Sequence, residues 1–181
     1  MIDLKERELP EAIEANGKLF LIYTDFRVWL SFPDRVRDLK DGDWDGYKGL
    51  FSGVVPWPTE EVLGALGAFY NPPREIPRTD GSGEILLDVN VDADYIYSAF
   101  LQVYGIDLID ADMHWHKFSA LLSGIPQGTM LMDIIGYRSY KGNGKDPEYK
   151  KYMRLKGLWA LPQPVSEEEK EAMEEFNRLF G

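Results

Sequence analysis

Asp92-Ala93-Asp94, then Phe100, then Gly105-Ile106 is echoed further along the chain by Asp110-Ala111-Asp112, Phe118 and Gly124-Ile125. Each feature has a helical role. An aspartate accepts from the unpaired N–H groups of a first turn, the phenylalanine lies on the apolar face, and the glycine takes the left-handed position that ends the helix. The pair predicts an antiparallel helical hairpin at the centre of the fold. Two copies fall short of the roughly three that a solenoid needs.

The flanking segments extend the helical reading. Asn16-Gly17 supplies the two positive-φ residues of a type I′ turn, so a short β-hairpin is expected near the start. Phe26, Trp29, Leu30 and Val36 share one helical side, capped by Thr24 or Asp25, and Pro33 either kinks that helix or starts a second one. Residues 40–58 are rich in glycine and proline and read as a loop. Thr59 caps a helix carrying Val62, Leu66 and Phe69, which Asn71-Pro72-Pro73 stops. Residues 71–91 hold three prolines and Gly81-Ser82-Gly83, with a short strand expected over 85–89. Thr129 caps a helix with Leu131, Ile134 and Ile135; Tyr149, Tyr152, Met153, Leu155 and Trp159 mark another. The fold class is therefore mainly α, one domain of six or seven helices with a small N-terminal β-hairpin. Residues 1–161 form that domain, and 162–181 form a capped C-terminal helix that either packs on the same domain or docks in a partner's groove.

With 31 acidic against 20 basic residues, the net charge is −11. Nucleic acid and anionic membrane are poor partners for such a chain, because both need cations on the protein. Cysteine is absent, which removes disulfides and thiolate chemistry. The N-terminus has no signal-peptide core, and the apolar run Leu19–Tyr23 is too short to span a bilayer.

Three motifs approach known chemistry and stop short of it. Asp41, Asp43, Asp45 and Gly46 match the first half of a calcium loop, but Ser52 stands where the closing glutamate belongs. His114 and His116 lie beside Asp110 and Asp112, yet residues two apart on a helix diverge by about 200°, so the rings cannot share an ion. Helical phase places His114 with Trp115, Phe118 and Leu122 on the apolar side and His116 with Lys117 and Ala120 outside, so His114 is expected to matter for stability and His116 not. Gly142 to Asp146 ends in aspartate where a phosphate loop needs serine or threonine, and reads as a turn. The expectation is a protein-binding domain with no catalytic residues, metal or cofactor and no small-molecule ligand.

The stretch from Tyr95 to Arg138 resembles the bacteriophage gene product fifteen family. The resemblance rests on Phe100, Tyr104-Gly105-Ile106-Asp107, the Asp110–Phe118 run with Asp112, His114 and Trp115, Leu121-Leu122, Gly124 and Ile134-Ile135-Gly136-Tyr137-Arg138. Leu9-Pro10, Gly17 and Thr24-Asp25-Phe26-Arg27 also look like that family. The resemblance implies a protein of siphophage or prophage tail modules, acting like a tail assembly chaperone on the tape-measure protein or a fellow chaperone in the cytoplasm of the bacterial host. A structural virion component, such as a tail-completion or connector subunit, is the alternative. The motif residues read as cap and core.

The last segment offers a partner-binding element. Ser166 and Glu169 form a capping box after Pro162 and Pro164, and Met173, Phe176, Leu179 and Phe180 fall at helical spacing. Deleting residues after Leu161 is expected to leave cooperative melting intact while weakening capture of the tape-measure protein. Gross destabilisation of the truncated chain, or full capture by a folded truncation, would refute the docking role.

Overall fold

Asn16 and Gly17 both take positive φ, 53° and 66°, the backbone that a two-residue turn between right-twisted strands requires. They join β1 (Ala12–Ala15) to β2 (Lys18–Leu21) in an antiparallel pair with Ile13 opposite Phe20 and Glu14 opposite Leu19. The structure, a computed structural model, describes residues 2–71 and 84–162. Among the described residues eight helices follow: α1 (Phe26–Leu30), α2 (Phe32–Lys40), α3 (Asp45–Lys48), α4 (Glu60–Tyr70), α5 (Ala93–Tyr104), α6 (Trp115–Ser123), α7 (Met130–Ser139) and α8 (Tyr149–Leu158). The chain is mainly α with an N-terminal hairpin, as its periodicity predicts. The helices exceed the expected number because the segment before Lys40 divides and residues 45–48 form an extra turn.

That division follows from Pro33, which sits in the first turn of α2, where its missing N–H costs nothing. Asp25 caps α1 by accepting from the Arg27 N–H, Thr59 caps α4 from Val62, and Thr129 caps α7 from Met132. Residues 40–58 are more than a loop. Tyr47, Leu50 and Phe51 are buried there, and the Tyr47 hydroxyl donates to the Pro56 carbonyl at 2.9 Å. Loss of hydration raises the Tyr47 phenol to about 12. The strand expected over 85–89 does not form: no strand pairs with it among the described residues, and the Leu86 carbonyl is taken by Arg138 instead.

The core is an aromatic stack that crosses the elements. Phe118 of α6 stacks on Phe26 of α1 at 4.6 Å and on Phe100 of α5 at 5.1 Å. Trp115 continues it onto Tyr70 at 5.1 Å, and Trp29 meets Phe69 of α4 at 4.4 Å. Each such ring contributes about 1.5–3 kcal/mol through burial, with offset geometry adding about 0.5–1.5 kcal/mol per pair. Ile13 and Ala15 of β1 are buried where that strand packs against α4.

The second half of the chain is tied by charge. Arg138, on α7, forms a fork with the Asp92 carboxylate at 2.6 and 2.9 Å, and both side chains are buried. The guanidinium also donates to the carbonyls of Leu86 and Trp159, and the Asp88 N–H donates to Asp92. Asp92 therefore does not cap α5 with its side chain, as its position suggests; the carboxylate is committed to Arg138. Removing one member of a buried pair strands the other charge. Arg138→Met is expected to destabilise the protein by about 3–5 kcal/mol in urea unfolding, and the double change with Asp92→Leu by clearly less. An equal loss in both variants would show that packing, not the stranded charge, sets the cost.

Candidate partner surface

α6 begins at Trp115, not at the aspartates. The residues before it are claimed by the N-terminal half: Asp25 and His114 form an isolated bridge, Phe26 N–H donates to the Met113 carbonyl at 2.9 Å, and Trp115 N–H donates to the Thr24 carbonyl at 2.7 Å. A backbone extended for that pairing cannot be helical. Asp110 and Asp112 accordingly sit exposed in the connecting turn and cap nothing.

The shift reverses the two histidines. His114 is the cap of α6: its Nδ1 accepts from the His116 N–H at 2.9 Å, so Nε2 carries the proton and donates to the Pro10 carbonyl at 3.0 Å. His116 is the buried ring, 3% exposed. Its Nε2 lies 2.9 Å from the Phe69 carbonyl, and the Trp115 indole donates to the Tyr70 carbonyl at 2.8 Å. Neighbouring side chains thus satisfy carbonyls at the end of α4, groups a helix leaves without internal partners.

The remaining motif residues fall in the core, at helix ends and in the turn after α5. Phe100, Trp115 and Phe118 are core. Gly105 is left-handed at φ 65° and ends α5. Gly124 is not left-handed; it leaves room for the Tyr104 hydroxyl, 3.1 Å from where a Cβ would stand, to donate to the Leu121 carbonyl. Asp107 accepts from the Ile109 N–H and the Tyr97 hydroxyl. Among the described residues no buried side-chain polar atom lacks a partner, and no group of three or more His, Asp or Glu is placed to hold a metal. Asp43 accepts from the Asp45 N–H and Asp45 pairs with Lys48, so these acids serve the turn. Met173, Phe176, Leu179 and Phe180, with the rest of the proposed C-terminal helix, lie outside the described residues.

What remains open is apolar surface. Leu19, Leu21 and Tyr23 alternate along β2 and its extension, facing away from α4, and are 74, 54 and 50% exposed. Gly53 lies against Leu21, and Val54 beside it is 79% exposed. The signal was present in the sequence. A run of five apolar residues, Leu19 to Tyr23, makes a strand apolar on both faces, and a hairpin covered by a single layer buries only one. A hollow of about 900 Å³ lies beside Leu86, Val91 and Leu161, and its cations are engaged: Arg138 with Asp92, Arg37 with Asp34, Lys156 with Glu84.

Compared with known proteins, residues 71–161, half of the chain, match the profile of the family described as Bacteriophage Gp15 protein. The match takes in α5 to α8 and the Asp92–Arg138 pair, and leaves the Thr24–Arg27 resemblance outside it. No curated protein and no solved structure matches. No helix among the described residues is long and apolar enough to cross a membrane.

Burial depresses the His114 imidazole below its ordinary 6.5. The unfolded chain therefore takes its proton first on acidification; the stability held above pH 6.5 declines as pH falls below it. His114→Asn keeps a cap acceptor without titrating. Urea unfolding in mildly acidic buffer is expected to weaken the wild type more than this variant, while His116→Ala costs about 1–3 kcal/mol at neutral pH. Identical pH profiles for wild type and His114→Asn would remove the cap from the account.

Proposed function

The chain belongs to the bacteriophage Gp15 protein family, and from that premise we propose that it works without catalysis, by binding other phage proteins while the tail is assembled. The observation that carries this reading is the outer face of β2. Leu19, Leu21 and Tyr23, with Val54 beside them, form an exposed apolar surface on the hairpin and its extension. Apolar residues grouped in this way mark a binding site more often than scattered exposed residues do. The polar interior supports the same reading, since its strongest groups are spent on one another.

The partner in this reading is the tape-measure protein or a fellow tail assembly chaperone, met in the cytoplasm of the infected cell. A chaperone leaves when the tail is complete. Mass spectrometry of purified particles is expected to find the tape-measure protein and not this chain. Its presence there in stoichiometric amount would instead make it a tail-completion or connector subunit.

The surface itself can be tested without disturbing the fold. Leu19→Asp and Leu21→Asp change exposed positions and are expected to alter stability by under about 1 kcal/mol. Capture of the tape-measure protein from infected cells should fall by about tenfold or more. Unchanged capture by folded double variants would take this face out of the interaction.

A further inference from the structure

A groove of about 320 Å³ opens beside Arg27, between α1, the first turns of α5 and the turn that follows α5. Its floor is core, Phe26, Ile96 and Phe118, and its lip is Ile109, 75% exposed. The turn is fixed in place, because Arg27 donates to the carbonyls of Leu108, Ile109 and Ala111 and pairs with Asp25. The rim is acidic. Asp107 accepts from the hydroxyl of Tyr97, a lining residue, and the two acids flank the lining pair in the chain, Asp107 before Leu108 and the exposed Asp110 after Ile109. An occupant that fits carries an apolar anchor with a cation beside it.

The same chain presents that combination elsewhere. In a protein of net charge −11, α8 holds Lys150, Lys151, Arg154 and Lys156. Its exposed side carries Met153, 41% exposed, with Lys150 one turn before it and Arg154 next to it. Among the described residues neither Lys150 nor Arg154 makes an ion pair, and α8 buries no side chain completely. α8 packs on α7 through Tyr152, whose ring meets those of Tyr137 and Tyr140, and Met153 lies on another side of the helix.

We infer that a second copy of this chain is the occupant: α8 of one molecule seats Met153 in the groove of the next, with Lys150 and Arg154 against Asp107 and Asp110. The two surfaces are different, so the contact is head-to-tail. It propagates from copy to copy into a ring or an open filament and does not stop at a symmetric dimer. This self-association is independent of the tape-measure reading and stands or falls separately from it.

Sedimentation of the purified full-length chain tests it. The wild type is expected to gain mass with concentration and to lose it at high salt, which screens exposed charges. Ile109→Asp and Met153→Asp should each sediment as monomers, with association weakened about tenfold or more. Mixed, these two variants retain one intact groove and one intact α8 between them and should form dimers and nothing larger. Arg154→Asp alone should weaken association, and adding Asp110→Arg should restore much of it. A wild type that stays monomeric at every concentration overturns the inference, as does association that persists in Ile109→Asp or a mixture that remains monomeric. Circular dichroism and melting of each variant confirm the fold.

Discussion

The fork between Arg138 and Asp92 is the interaction on which the second half of the molecule depends. Bringing two charges out of water costs several kcal/mol per ion unless every donor and lone pair is met. Here each guanidinium nitrogen and each carboxylate oxygen has a partner: the guanidinium serves the carboxylate, the Leu86 carbonyl and the Trp159 carbonyl, and the carboxylate takes the Asp88 N–H as well. One side chain thereby fixes α7 against the start of α5, the approach to α5 and the end of α8. α8 buries no residue of its own, so its position rests on tyrosine contacts with α7 and on this network more than on a hydrophobic face. Arginine suits the task because its planar fork meets the carboxylate with two bonds and still has donors to spare.

The first half is held by a different kind of constraint. Short extended backbone at Thr24–Phe26 and Met113–Trp115 pairs across a large separation in sequence, and Phe26, Trp115 and Phe118 leave that junction directly into the aromatic stack. The pairing sets where α6 begins, and the starting residue sets which side of α6 faces inward. Arg27 completes the junction by holding the turn at 108–111.

Local chemistry was legible in the sequence where it is decided locally. Thr59, Thr129 and Asp25 cap the helices that their positions announce, Asn16-Gly17 makes the turn, and Val62, Leu66 and Phe69 face the core together. The readings that changed are those where a distant residue competes. Asp92 has the place of a cap, but a buried guanidinium forty-six residues away outbids a backbone N–H. The Asp110–Asp112 repeat looks like a helix start, but residues 24–26 draw the following backbone into a bridge, the helix starts later with His114 as its cap, and His116 is the ring that turns inward. Tyr47 sits among glycines and aspartates that signal a loop, and no periodicity in one helical turn reveals that it is buried. The apolar face of β2 was readable from Leu19–Tyr23, whereas the groove beside Arg27 depends on three segments meeting and has no linear signature.

The caps on α4 have an architectural consequence. Trp115 holds the Tyr70 carbonyl on one side of residues 72–83, and Arg138 holds the Leu86 carbonyl on the other. Both points where that stretch joins the core are thus pinned by side chains from elsewhere, independently of what lies between them. A change at Trp115 therefore releases the end of α4 and a change at Arg138 releases the approach to α5, each without the other.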